Sequence, residues 1–148
     1  MCQTKQGWGR TMGEYPRLLH TAIDTTDARG LAEFYRRLLG LQYRPGDDPP
    51  AAGGPDDADW LVLVDSDGVR KLAFQQVERL ERTTWPEHDV AMQMHLDFTV
   101  PSVEELQRHR ERAESLGARL LLDRTDDSDE PLYVLADPSG HPFCLFVA

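Results

Sequence analysis

Two histidines stand at matching places in this chain. His20 lies in an alternating apolar segment over residues 18–24, and His95 near the start of a second one over 94–100. Imidazole is the side chain whose ordinary pKa lets it gain or lose a proton near neutrality, so each is a candidate for proton transfer or for orienting a ligand. Asp97 follows His95 by two residues, which on a strand places both on one face. Asp97 and His95 are therefore the candidate catalytic pair, with Asp97 as the carboxylate that moves a proton. A charged Asp in a cleft is usually paired, and Arg119 is one cation that would hold it. Trp60, at the start of a strand, and Trp85, in a Trp85-Pro86 dipeptide, offer flat apolar surface to a ligand. Trp60 suits equally well as an anchor for the loop before it. Gln75 suits a polar cleft wall, and Cys144 a small buried filler. His88 is a further candidate for lining the site, whereas His141, just after the turn at Gly140, is expected at the surface.

The elements that must position these residues follow from periodicity. Residues 18–24 alternate as a strand, and Thr26 or Asp27 caps a helix over 28–39 whose Leu31, Phe34, Tyr35, Leu38 and Leu39 form one apolar stripe. Gly40 stops it. Short strands over 41–43, 60–64 and 71–77 follow, the last two joined by the turn Asp65-Ser66-Asp67-Gly68. Residues 45–59, rich in Pro, Gly, Ala and Asp, are expected to form a mobile surface loop. The second half repeats the plan: a strand over 94–100, a capping box at Ser102 and Glu105, a helix ended by Gly117, and strands over 119–122, 133–136 and 143–147. Leu39-Gly40 answers Leu116-Gly117, and Val62-Leu63-Val64-Asp65-Ser66-Asp67-Gly68 answers Val134-Leu135-Ala136-Asp137-Pro138-Ser139-Gly140. One strand–helix–three-strand unit leaves half a sheet uncovered; two make an α+β domain, a curved mixed sheet around a cleft with helices on its outer face. The expected organisation is a flexible tail over 1–16 and one domain over 17–148, with modules over 18–78 and 92–148. Alternation puts His20, Ala22, Asp24, His95, Asp97, Thr99, Cys144 and Phe146 on the cleft face.

Several stretches resemble the vicinal-oxygen-chelate superfamily, in its glyoxalase-like, bleomycin-resistance-like branch. They are Asp24-Thr25-Thr26-Asp27 followed by Leu31-Ala32-Glu33-Phe34-Tyr35, Lys71-Leu72-Ala73-Phe74-Gln75, Met94-His95-Leu96-Asp97, and Asp137-Pro138-Ser139-Gly140-His141-Pro142-Phe143-Cys144-Leu145. The resemblance implies the βαβββ duplication. It also implies a metal set carried over to His20, Gln75, His95 and Cys144. Members of that superfamily usually place Glu where this chain has Gln75 and Cys144. With two histidines a thiolate suits zinc, and suits Mg²⁺ or Mn²⁺ poorly. The implied cofactor is one divalent metal, Zn, Ni or Fe. The implied functions are small-molecule binding in a cleft walled by His20, Trp60, Gln75, Trp85, His95, Asp97, Cys144 and Phe146, or a metal-dependent lyase, isomerase or dioxygenase acting on vicinal oxygens. A homodimer is implied in the same way.

Composition bounds the rest. A chain of 148 residues with 40% hydrophobic and 28% charged residues is long enough to bury a core. Its net charge of −10 argues against a nucleic-acid groove and would attract a cationic ligand. The acidic runs at Asp47-Asp48, Asp56-Asp57-Asp59 and Asp126-Asp127-Asp129-Glu130 read as solvated surface, since they lack the Gly and closing Glu of a calcium loop. No apolar stretch is long enough for a membrane helix, and residues 1–15 hold no apolar core of a secretory signal. Cys2 and Cys144, at opposite ends of the chain, do not make a disulfide framework. The expected location is the cytoplasm.

Overall fold

Helix α1, Ala28–Leu39, begins where the Asp27 carboxylate accepts the Gly30 N–H at 3.0 Å, satisfying one of the free amides of a helix start. It ends at Gly40, whose φ of 69° is left-handed backbone that suits glycine, and whose N–H donates to the Arg36 carbonyl. The structure, a computed structural model, describes residues 15–148. The tail expected over 1–16, together with Cys2, lies outside the described residues apart from Tyr15 and Pro16. Before α1 runs β1, Thr21–Thr25; after it come β2, Gln42–Tyr43, β3, Trp60–Val64, and β4, Arg70–Gln76. The second module gives β5, Leu96–Val100, then α2, Val103–Ser115, then β6, Arg119–Arg124, β7, Leu132–Ala136, and β8, Pro142–Val147. Ser102 caps α2 by accepting the Glu105 N–H at 3.2 Å. The Glu105 side chain pairs with Arg108.

Each module forms its own four-stranded mixed sheet, in the orders β1-β4-β3-β2 and β5-β8-β7-β6. The first strand of each module is an edge strand, parallel to the last: Asp24 lies opposite Gln75, and Asp97 opposite Cys144. The duplication read from the sequence is thus repeated in topology and register.

Alternation along the strands sends one row of side chains to the helices. Ile23, Leu61, Leu63, Leu72 and Phe74 join α1, and Phe143, Leu145 and Val100 join them in the same apolar cluster. Aromatic rings cross between the modules, with centroids 6.0 Å apart for Phe34 and Phe143 and 6.4 Å for Tyr35 and Phe98. Tyr35 stacks on Phe74 at 5.8 Å. Burying each such ring is worth roughly 3 kcal/mol, so the shared cluster binds the two modules into one core. The opposite row of the first sheet makes a smaller cluster of Val62, Val64 and Ala73, with Trp60 against it.

The acidic loop over 45–59 is tied down, against the expectation that it is mobile. Arg29 donates from Nε to Asp56 Oδ2 at 2.7 Å and from Nη1 to the Asp47 carbonyl at 2.7 Å. Its guanidinium lies over the Tyr43 ring, 4.9 Å from the centroid. Asp47 in turn accepts from Arg44 at 2.9 Å and from the Val62 N–H at 2.8 Å. Composition alone suggests a loop that cannot order itself; Arg29, Arg44 and the Val62 amide, all outside it, supply the order.

Two substitutions should separate core from loop. Phe143→Ala, at a ring that is 0% exposed, should cost about 3–5 kcal/mol in denaturant unfolding and still give one cooperative transition. Arg29→Ala should shift global stability by less than about 1 kcal/mol while making residues 45–59 a preferred site of limited proteolysis.

Candidate functional site

The first and last strands of the second module bring three ligand-type side chains together. His95 immediately precedes β5, Asp97 is its second residue, and Cys144 stands directly opposite Asp97 on β8. The neighbours on either side, Leu96 and Phe98, Phe143 and Leu145, point into the core, so the pleat turns these three the other way. His95 Nε2 lies 3.1 Å from Asp97 Oδ1. One donor atom from each of His95, Asp97 and Cys144 lies within 4.8 Å of the others. Burial, and then the Asp97 charge, push the Cys144 thiol up to about 11. A nitrogen, an oxygen and a sulfur donor with solvent access fit a borderline-soft cation, and three protein ligands would leave a fourth position open to a small molecule.

The first module contributes a separate group. His20 immediately precedes β1 and packs against Trp60, their rings 5.8 Å apart. Its Nδ1 is buried and has no hydrogen-bond partner. Burial, followed by the Arg70 and Arg44 charges, lowers its pKa and favours the neutral ring. Gln75 pairs in register with both Asp24 and Trp60. His20 is not a member of the His95, Asp97 and Cys144 cluster. Phe146 faces away from the core opposite Thr99, Trp85 is half-buried, and His88 is exposed. Asp97 is paired with His95, while Arg119 lies opposite Ala136 across β6 and β7.

Between the edge strand β1 and the start of β5 lies a cavity of about 340 Å³. Ala22, Ile23 and Leu96 form apolar wall, and His95, Thr83 and His141 are among its polar lining. His141 is a residue that sequence reasoning placed at the surface. Its Nδ1 is 2.8 Å from Asp137 Oδ2, and the Asp137 side chain is 0% exposed. Asp137 also accepts from the Tyr35 hydroxyl at 2.7 Å, the Ser139 N–H at 2.9 Å and the His141 N–H at 3.0 Å. Gly140, at φ 97°, closes this turn, and Arg82 packs so close to it that a Cβ would meet the Arg82 Cγ at 2.5 Å. The five-residue run from Asp137 to His141 carried a local signal, an Asp at a turn four residues before a His. The contribution of Tyr35, 102 residues away in sequence, had none.

Comparison with known proteins agrees with this fold. The family described as glyoxalase-like domain matches residues 20–146. No curated protein matches the chain. A glyoxalase/bleomycin resistance protein/dioxygenase family enzyme from Burkholderia phytofirmans PsJN is similar, at 20% identity and TM-score 0.63, covering 87% of this chain and 96% of its own. The fosfomycin resistance protein FosX from Listeria monocytogenes is similar at 16% identity and TM-score 0.62, covering 90% and 94%. A glyoxalase/bleomycin resistance protein from Albidiferax ferrireducens T118 gives 15% identity and TM-score 0.56, covering 88% and 98%. At these identities the solved structures speak for the fold alone. The match over residues 20–146, on a chain folded as two βαβββ modules, means that the protein belongs to the glyoxalase-like domain family, within the vicinal-oxygen-chelate superfamily.

Proposed function

We propose that this protein binds a small molecule in the cavity beside His95, with a divalent cation of the zinc class held by His95, Asp97 and Cys144. The observation that carries the reading is the convergence of three unlike donors within 4.8 Å on one face of the second sheet. A bound cation would supply Lewis acidity to oxygens of the ligand, the chemistry a lyase, isomerase or dioxygenase of this kind requires. Cys144 must lose its proton to bind it, and a nearby cation favours that loss against the burial that opposes it. Asp97 stands 3.1 Å from His95 Nε2, near enough for both to ligate one ion. His20, Gln75 and Trp60, which lie outside the lining of this cavity, are proposed as a wall contributed by the first sheet on the face of the cation ligands, with Trp85 and Phe146 as further apolar lining there.

A second reading is metal-free sequestration. His95 Nε2 and Asp97 Oδ1 stand 3.1 Å apart without an ion between them, and a net charge of −10 favours a cationic ligand. No helix among the described residues is long and apolar enough to cross a membrane. Location in the cytoplasm is proposed from the sequence. A homodimer is also proposed, since β1 and β5 are both edge strands and Leu18, Leu19 and Met94 beside them are exposed. Light scattering across a concentration series should then give twice the chain mass.

Elemental mass spectrometry of the untagged protein should find close to one equivalent of zinc, nickel or iron per chain, lost in His95→Ala and in Cys144→Ser. Background levels after adding metals back would leave sequestration as the function. Independently, at pH 8 the metal-free Cys144 thiol should alkylate roughly a hundredfold more slowly than an ordinary thiol, because its pKa near 11 leaves little thiolate. The rate should climb as pH approaches 11. A rate profile centred near 9 would show that burial and Asp97 do not hold the proton.

A further inference from the structure

We infer that the cavity recognises an apolar small molecule through a single hydroxyl group, whose O–H donates to Nε2 of His141. The inference rests on the reading of this cavity as the ligand site and is independent of whether a cation is bound there.

Asp137 is ringed by polar groups. Its two oxygens, buried with no solvent exposure, face the Tyr35 hydroxyl, the Ser139 and His141 amides and the His141 ring. An ionised carboxylate has no hydrogen to give, so each of these groups is a donor and the ring proton sits on Nδ1. In the neutral ring Nε2 is then a lone-pair acceptor. It has no hydrogen-bond partner among the described residues, while His141 lines the cavity. A carboxylate that fixes the tautomer and aims the remaining nitrogen is an arrangement that prepares an imidazole to accept a proton or a hydrogen bond.

A second, independent observation names the ligand group. Thr83 Oγ1 lines the same cavity, is buried, and has no partner. Thr83 and His141 both line this cavity, and Arg82, the neighbour of Thr83, lies across Gly140 and donates from its guanidinium to the Pro138 carbonyl. A buried hydroxyl without a partner is unfavourable, and a ligand acceptor would recover that cost. One ligand oxygen that gives its hydrogen to His141 and accepts from Thr83 is a hydroxyl; a carbonyl or an ether oxygen has no hydrogen to give. Ala22, Ile23, Leu96 and Pro142 provide apolar wall for the rest of the molecule, and about 340 Å³ suits a body the size of one substituted ring.

The test uses the full chain, both stripped of metal and loaded with zinc, titrated calorimetrically with 4-methylphenol and with 4-methylanisole. The ether keeps the shape and the oxygen and lacks the O–H. The phenol should bind about tenfold more tightly than the ether in both forms of the protein, as expected for one buried hydrogen bond. His141→Asn retains an N–H for Asp137 and removes the acceptor at the Nε2 position, so it should abolish the preference without changing the affinity for the ether. His141→Gln places a carbonyl oxygen near the Nε2 position and should keep most of the preference. Thr83→Val should weaken the phenol by about threefold and leave the ether unchanged. Equal binding of the two probes, or a preference untouched by His141→Asn, overturns the inference and leaves His141 as a turn-closing residue. Failure of both probes to bind overturns the cavity reading together with it. A preference present with and without zinc supports the inference whatever the metal analysis finds.

Discussion

A carboxylate taken fully out of water must be surrounded by donors, because its desolvation costs several kcal/mol that only hydrogen bonds and compensating charge return. Asp137 is such a group, and much of this molecule's arrangement can be followed outward from it. Its donors come from both modules: Tyr35 from the middle of α1, and Ser139 and His141 from the turn between β7 and β8. Ser139 also meets the Thr25 hydroxyl at the end of β1, 2.7 Å away. The bond from Tyr35 to Asp137 spans 102 residues and fixes how the first helix sits on the last hairpin. Apolar packing between Phe34, Tyr35, Phe98 and Phe143 supplies the attraction between modules but tolerates sliding. The buried carboxylate accepts only one arrangement. Arg112 adds a second polar tie, donating to the Arg37 and Leu38 carbonyls that α1 leaves free at its end.

From that docking follows the placement of chemistry. Strand pleat alone decides that Asp97 and Cys144 share a face, and the parallel register of β5 and β8 sets them opposite each other. The equivalent register in the first module sets Asp24 opposite Gln75. The two modules are thus alike in backbone and different in side chain. On this face the first offers Asp24, Gln75 and His20, the last shifted towards its neutral form by burial and by Arg70 and Arg44, and the second groups His95, Asp97 and Cys144. Duplication supplies two copies of a scaffold; divergence of single letters on one face gives each copy its own electrostatics.

The local pattern made much of this legible. Helix α1 falls where an apolar stripe, an Asp cap and a Gly stop agree, and the later strands fall within two residues of their expected ends, because burial on one face enforces a period of two. The opening strands β1 and β5 begin later than alternation suggests, at Thr21 and Leu96, leaving His20 and His95 just outside the ladders. Hydrophobic alternation records which face a side chain takes, whereas hydrogen bonding also needs a partner strand, and β4 and β8 begin to pair only there. What the sequence did not disclose is consistently a matter of distant polar pairing. The acidic loop reads as mobile because nothing within it points to Arg29. His141 reads as surface because its carboxylate partner is buried by a helix more than a hundred residues earlier. The Asp97 partner is the neighbouring His95 and not an arginine, a choice that strand geometry settles at 3.1 Å.

The cavity between β1 and β5 has two different poles, and their difference is physical. At His95 the surroundings are polar and exposed, with Asp97 in contact and Cys144 near, although these two do not themselves line the cavity. At His141 the anion is behind the ring and buried, already shared among hydroxyl, amide and imidazole groups, and Nε2 of the ring has no partner among the described residues. A ligand lying between the two would meet His95 at one end and His141 at the other, with Ile23 and Leu96 along its length. Affinity in such a site would come mostly from the apolar length, while orientation would come from the poles, since reversing the molecule would leave a buried hydroxyl unpaired at Thr83 and a lone pair unused at His141. The same buried carboxylate that docks the modules therefore also gives the cavity its direction.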